Sequence, residues 1–297
     1  MKPRREDDLG TSPLGAHGFG GFLRSLLAGV PWSERAESNE ALHFANPPTG
    51  MLRIHNANGR TRVIGEERTD IEILCRKVAR AESDAGAESM LERIRLLDGR
   101  GSDGALELET EAPRKWNRRG HLDLELHVPR GTALDIMASN GRVAIEGLRS
   151  AVTARSSNGS VELCDVIGDV EVTTSNAKVC CCDTRGRLVA RSSNGKIELD
   201  DHRGSVDAST SNGLIRCSLE ELGKGGCQLA TSNGRIILEL PSEVDAEVDI
   251  RVDNGVIRND RPLCKAARER SGQLRGKLGK GGAVVRLRTS NGSVSLR

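Results

Sequence analysis

The sequence predicts an all-β fold: a single-chain β-solenoid, with a right-handed parallel β-helix as its expected form. Three observations predict it, namely an Asn-Gly pair that returns at a near-constant interval, apolar residues in the same columns around each pair, and very few aromatic residues. The 297 residues include three Phe, two Trp and no Tyr, and all five aromatic residues lie at or before Trp116. A narrow interior filled by small aliphatic side chains suits this composition.

The Asn-Gly pair marks one corner of each repeat. From Asn140 to Asn212 every step is 18 residues, and the later steps are 21, 21 and 37 residues. A fixed period indicates stacked units, and Asn and Gly suit corners because both tolerate positive φ. The nine predicted corner residues, one of which (Asn176) precedes Ala instead of Gly, are Asn58, Asn140, Asn158, Asn176, Asn194, Asn212, Asn233, Asn254 and Asn291.

Four apolar columns surround these corners, six and four residues before each Asn and three and five residues after it. Of the 36 column positions, 34 are apolar, whereas about 13 are expected from the 36% apolar composition. The spacing of two within each pair of columns is the strand period. A β-hairpin at each Asn-Gly is the competing interpretation. The solenoid is favoured because identical columns at one period let like residues stack about 4.8 Å apart.

Residues 1–45 are predicted to form a flexible tail with a short amphipathic helix. The apolar residues between positions 19 and 30 fall on one helical stripe. Two roles stay open for this stripe: a plug on the end of the solenoid, or peripheral contact with a membrane. The first eight residues carry charges of both signs, and no small-residue cleavage site follows the apolar stretch, so we expect no export signal and a cytoplasmic location.

Residues 46–297 are predicted to form the solenoid domain. Its part from 66 to 130 lacks the repeat and shows four alternating runs, which we expect to pair as irregular antiparallel strands at the N-terminal end (Ile71–Val78, Ile94–Leu97, Ala105–Glu111 and His121–Val128). Residues 131–297 hold the Ser-Asn-Gly repeats of about 18 to 21 residues, and the polar segment 258–280 accounts for the longest step. The final strand, Val294–Leu296, is expected to leave an unpaired edge that invites self-association.

Charge and composition exclude several functional classes. The 44 basic and 42 acidic residues leave a net charge of +2, which gives no field to hold nucleic acid. No run reaches the roughly 18 apolar residues of a membrane span. A polysaccharide-cleaving β-helix enzyme remains the alternative function, but the repeats lack aromatic residues for sugar stacking and show no acid–base constellation. The sequence therefore predicts no catalytic residue and no cofactor.

Two small clusters are the candidates for a metal, although no metal site is expected. Cys164 and Cys182 share an outward column on consecutive coils and Cys180 points the same way, so these three could bind a soft metal or form one disulfide. A second outward column, seven residues after Asn, consists of Asp residues that either hold Ca²⁺ or cap the corner amides (Asp165, Asp183 and Asp201). Free thiols elsewhere would suit a reducing compartment.

Three stretches carry a resemblance to a known family: Val-Pro-Arg-Gly-Thr-Ala-Leu-Asp-Ile at 128–136, Ser-Asn-Gly-Arg-Val-Ala-Ile-Glu-Gly-Leu at 139–148, and the closing segment 276–296. Over roughly residues 50–297 the chain resembles a bacterial domain-of-unknown-function family labelled "putative adhesin" or β-strand repeat-containing protein. The resemblance implies a non-enzymatic structural or interaction scaffold, commonly associated with the cell envelope. Such a scaffold would bind an unknown protein partner, or a second copy, through its solenoid faces or end edge.

Overall fold

The computed structural model describes residues 34–112, 119–267 and 272–297, which form a twenty-stranded β-structure and one short helix. The strands are β1 (Glu34–Ala45), β2 (Met51–Asn58), β3 (Thr61–Glu66), β4 (Asp70–Ala81), β5 (Arg95–Arg100), β6 (Leu106–Glu111), β7 (Arg119–Pro129), β8 (Ala133–Asn140), β9 (Val143–Glu146), β10 (Val152–Ser156), β11 (Val161–Ile167), β12 (Val170–Thr174), β13 (Val179–Ser192), β14 (Ile197–Asn212), β15 (Ile215–Asn233), β16 (Ile236–Glu239), β17 (Ala246–Asn259), β18 (Cys264–Ala267), β19 (Gln273–Leu278) and β20 (Ala283–Leu296). The helix α1 (Asp84–Leu91) lies between β4 and β5.

The strands stack in two parallel faces that meet at the Asn corners. The first face, formed by residues before each Asn, runs β6–β2–β8–β10–β12–β13–β14–β15–β20–β17. The second face, formed by residues after each Asn, runs β7–β3–β9–β11–β13–β14–β15–β16–β20–β17. Several long strands pass through a corner and contribute to both faces. The predicted all-β, solenoid-like fold is confirmed.

The core is the pair of apolar columns on the inner side of each face. All the column positions are buried except Ile257 and Asn259, which lie near the end of β17. Like residues stack directly: Val161 pairs in register with Val179, and Val179 pairs with Ile197. The strand period and the 18-residue coil therefore place small aliphatic side chains in continuous files.

The N-terminal end departs from the predicted tail. All twelve residues of β1 pair antiparallel with β4, and β4 pairs antiparallel with β7, so the tail predicted for residues 1–45 is wrong from Glu34 onward. Leu42 and Phe44 explain the difference, because they pack partly buried against the core. The amphipathic stripe predicted at residues 19–30 lies outside the described residues.

Two further features of this end are visible. β5 pairs antiparallel with β6, while β6 pairs parallel with β2, so antiparallel and parallel pairings are mixed here. Helix α1 was not predicted from the sequence. The Ser83 hydroxyl caps the helix by accepting a hydrogen bond from the Gly86 amide at 3.2 Å. Met90 is one of the helix residues that are buried.

The C-terminal strand does not end the stack. On the second face, Val294–Leu296 pairs with Ile236–Leu238 on one side and with Ile257–Asn259 on the other, so the unpaired edge predicted there is wrong. After β17 the chain reverses through β18 and β19, which pair antiparallel, and β19 pairs antiparallel with β17. The chain then returns as β20 into the slot between β15 and β17. β20 fits between these strands because its apolar columns match those of the neighbouring repeats.

Candidate functional site

The Asn corners form one continuous amide ladder along the solenoid. In each coil the Asn Nδ2 donates to the Oδ1 of the neighbouring Asn, at donor–acceptor distances between 2.9 and 3.1 Å. The spatial order of the ladder is Asn58, Asn140, Asn158, Asn176, Asn194, Asn212, Asn233, Asn291 and Asn254. The structure thus brings all nine corner residues together, with the last two exchanged relative to the sequence because β20 is inserted.

A file of serine hydroxyls runs beside the ladder on the outer side of the first face. The residue before Asn is Ser in seven consecutive coils, and all but the first of these serines are exposed (Ser139, Ser157, Ser175, Ser193, Ser211, Ser232 and Ser290). Because parallel strands lie about 4.8 Å apart, the hydroxyls repeat at that interval. We call this serine file and the adjoining Asn ladder the ladder surface.

The ladder surface contains a shallow groove of about 530 Å³ where β14, β15, β20 and β17 lie side by side. Its floor is formed mainly by small side chains, including Ser209 and Ala230, and Arg251 and Arg288 also line it. The Arg251 Nε lies 3.4 Å from Asp249 Oδ1, whereas among the residues that the structure describes no carboxylate pairs with Arg288. Asp253 also lines the groove, which therefore offers hydroxyl groups, two guanidinium groups and one carboxylate.

The three Asp residues of the predicted column share an unusual backbone conformation. Asp165, Asp183 and Asp201 have φ values of 52°, 46° and 56°, in the left-handed region that Asp tolerates better than most residues. The Asp165 carboxylate accepts from Arg149 Nη2 at 2.8 and 2.9 Å, and Asp183 lies 3.6 Å from Arg203. The left-handed corner conformation suits Asp at these positions, and the two roles considered for the column, capping of corner amides and Ca²⁺ binding, stay untested.

The cysteine cluster lies on the outer side of the second face. Cys164 of β11 and Cys182 of β13 form a disulfide with a Cα–Cα distance of 4.8 Å. Cys180 is free and half-buried, and burial raises the pKa of its thiol. All three cysteines line an open cavity of about 560 Å³ together with Arg60, Arg62 and Arg142. With Cys164 and Cys182 joined in the disulfide, no three His, Cys, Asp or Glu side chains in the described parts of the chain are placed to hold a metal ion.

One buried polar residue was not predicted as part of the interior. His202 is 1% exposed, and its Nδ1 lies 2.8 Å from the Thr184 hydroxyl. Its Nε2 has no hydrogen-bond partner among the described residues, and burial lowers the pKa of the imidazole below its ordinary value. The sequence held a signal, because Val166, Thr184 and His202 each stand eight residues after an Asn and so form a further inward column.

Comparisons with known proteins add a family and a fold. The family model described as Toastrack DUF4097 matches residues 103–297. A solved structure of a putative adhesin from Parabacteroides distasonis has a TM-score of 0.50 at 11% identity and covers 89% of this chain and 97% of its own. The solved structure of a putative adhesin from Bacteroides fragilis has a TM-score of 0.43 at 13% identity and covers 90% of this chain and 99% of its own. The solved structure of a putative adhesin from Parabacteroides merdae has a TM-score of 0.40 at 12% identity and covers 89% of this chain and 97% of its own.

A search of curated proteins found no match. Among the residues with described coordinates, no helix has the length and apolar character needed to cross a membrane.

Proposed function

The chain belongs to the Toastrack DUF4097 family, and from this membership and the geometry of the ladder surface we propose that it is a non-enzymatic interaction scaffold of the adhesin type. The family resemblance noted in the sequence is thereby confirmed. Solved structures of similar fold carry the description putative adhesin, and an adhesin-type role comes to this chain as part of the proposal.

The observation that carries the proposal is the continuous ladder surface. The amide hydrogen bonds hold each Asn in place, and the strands beneath are paired on both sides through most of the stack. A surface that is already ordered loses little conformational freedom on binding, so its hydroxyl and amide groups contribute more fully to affinity. A periodic polar surface of this kind suits an extended partner better than a small substrate.

The groove indicates an acidic partner. Arg251 and Arg288 outnumber Asp253 in the groove at one end of the ladder surface, and Arg288 lies there next to exposed hydroxyl groups. None of the described residues that line the groove is aromatic, so sugar stacking is not offered by them, which favours a protein segment rich in Asp and Glu over a neutral polysaccharide. Arginine binds carboxylates through paired, charge-assisted hydrogen bonds.

Fluorescence anisotropy of a labelled poly-glutamate peptide with the full chain tests this proposal. We expect saturable binding that weakens at least about tenfold in the double variant Arg251→Ala/Arg288→Ala. The matched control Arg60→Ala/Arg235→Ala removes the same charge from the second face and should bind like the wild type. Equal weakening by both variants, or no binding at all, would contradict the proposed surface. Shortening of an envelope polysaccharide by the protein would contradict the non-enzymatic role.

Three finer features belong to the same proposal. We expect the coils to wind in the right-handed sense, because crossover connections between parallel strands are nearly always right-handed. We expect residues 46–297 to act as one domain, with β1 as an added outer strand. An envelope location fits an adhesin-type role better than the cytoplasmic one, and peripheral membrane contact through residues 19–30 stays a prediction.

A further inference from the structure

The cysteine cluster places four metal-ligand side chains at the corners of a small rectangle. Cys164 is in register with Cys182, and Glu162, two residues before Cys164, is in register with Cys180. Neighbouring parallel strands lie about 4.8 Å apart, and two residues along a strand span roughly 6.6 Å. Alternate residues of a strand point to the same side, so all four side chains emerge on the outer side of the second face.

We propose that reduction of the Cys164–Cys182 bond opens a site for a thiophilic divalent cation such as Zn²⁺. Cys164, Cys180 and Cys182 would supply three sulfur ligands and Glu162 the fourth, oxygen ligand. Tetrahedral Zn²⁺ with bonds of about 2.3 Å to sulfur needs ligand atoms roughly 3.8 Å apart. Adjacent strands already bring Cys164 and Cys182 that close, whereas Cys180 and Cys182, roughly 6.6 Å apart along β13, would have to turn their side chains toward one another.

Both carboxylates and basic side chains surround the cluster, since Arg60, Arg62 and Arg142 line the same cavity. Glu146 is in register with Cys164, Glu198 with Cys180, and Asp200 with Cys182, so carboxylates flank the cluster on both neighbouring coils. Basic side chains now neutralise part of this charge, since Arg142 pairs with Glu162, and Lys178 and Lys196 pair with Glu198. A bound cation would compete with Arg142 for the Glu162 carboxylate.

The disulfide keeps this site closed in the oxidised protein, because it occupies two of the three thiols. A dithiol reductant supplies two electrons and two protons: the bond between the sulfur atoms breaks, two thiols form, and the reductant becomes a disulfide. The cation then displaces the thiol protons as it binds. β11 remains paired with β9 and β13, and β13 with β14, so the ligand positions persist after the bond is broken.

Cys180 fits the role of a ligand better than that of an attacking thiol. Cys180 and Cys164 lie on a diagonal of the rectangle, about 8 Å apart at Cα, beyond the reach of a disulfide.

Titration of the full chain with Co²⁺ tests the proposal, since thiolate ligation gives Co²⁺ a sulfur-to-metal charge-transfer absorption and intensified visible bands. We expect one Co²⁺ per chain after reduction by a phosphine, displacement of Co²⁺ by Zn²⁺, and no band for the oxidised protein. Cys180→Ser should weaken binding by more than about tenfold. Cys264→Ser, which removes an exposed thiol on β18, is the matched control and should bind like the wild type.

Two outcomes would overturn the proposal. One is a reduced, folded wild-type protein that gives no thiolate–Co²⁺ absorption. The other is binding that survives both Cys164→Ser and Cys180→Ser unchanged. Far-ultraviolet circular dichroism on each variant separates loss of a ligand from loss of fold. Alkylation provides a second readout, because Zn²⁺ should protect three thiols in the reduced wild type and none of them in the oxidised form.

Discussion

At the corners, the close approach of the neighbouring coil's backbone and the local φ angle determine which residue type fits. A Cβ at Gly204 would lie 2.0 Å from the carbonyl oxygen of Gly186, and Gly204 has a φ of +141°. At the preceding corner position, Asp201 adopts a φ of 56°. Position 204 therefore requires a residue without a side chain, and position 201 requires a residue that tolerates the left-handed backbone conformation.

We predict that Gly204→Ala destabilises the protein. The added methyl group would overlap the carbonyl below, and the backbone conformation is unfavourable for Ala, so the free energy of unfolding should fall by roughly 1 to 3 kcal/mol. Gly131→Ala is the matched control, because a Cβ there meets nothing within 4 Å. Urea unfolding of both variants checks the prediction. Equal stability of the two would show that the coils are not packed as closely as described.

His202 should make stability depend on pH. Its pKa is lowered by burial in the folded state, so the folded protein binds this proton less readily than the unfolded chain does. The stabilisation is fully present above the unfolded pKa of about 6.5 and is lost as the pH falls through the folded pKa. We predict that the melting temperature of the wild type falls on acidification through this window.

The variant His202→Leu should reduce that fall, because Leu219 already occupies the position in register on the next coil. His55→Gln changes an exposed histidine and serves as the control. Melting temperatures measured between pH 7.5 and 5 for the three proteins decide the matter. A wild-type profile parallel to that of His202→Leu would contradict the role of the buried imidazole.

Among the strands, β20 shows where sequence patterns stop being informative. The columns of apolar residues identify it as a repeat strand, and that prediction is confirmed. The same columns fit any slot in the stack, since Leu287 stacks between Leu229 and Ile250 as well as it would beyond Ile250. Strand order therefore depends on the reversal through β18 and β19, which lies in a polar segment without repeat signals.

The same limit applies to the candidate sites. The Asn ladder and the alignment of Cys164 with Cys182 follow from the 18-residue period, which the sequence shows directly. The period carries no information on backbone dihedral angles, so the left-handed conformation of Asp165 could not be predicted from it. It also does not report insertions, so the groove that β20 completes with Arg288 could not be predicted.

Hydrogen exchange provides a test of the β20 insertion. Strands paired on both sides open only when much of the fold opens, whereas edge strands exchange through local fraying. We predict that the amides of β20 exchange among the slowest in the chain and those of β5, whose one partner among the described strands is β6, among the fastest. Mass spectrometry of peptic fragments resolves the two strands. Rapid exchange throughout β20 would place it at an edge and contradict the described order.

At the scale of the whole molecule, the repeats that the structure describes form a one-dimensional stack in which each coil pairs with its neighbours. Removal of one whole coil should therefore leave the others able to pair, provided that the period is respected. Deletion of residues 195–212 joins Asn194 to Gly213, which preserves the Asn-Gly corner. It also brings Val179 over Ile215 and Leu188 over Cys227, so both inner columns remain apolar.

We predict that this 18-residue deletion yields a folded protein with an unchanged β-type circular dichroism spectrum and a cooperative melt at a lower temperature. A deletion of only residues 195–203 should fail to fold, because it shifts the following strands by half a coil and turns polar residues toward the interior. If the coils were instead held by contacts beyond nearest neighbours, both deletions would abolish the fold. The contrast between the two variants thus tests the solenoid itself, independently of any partner it binds.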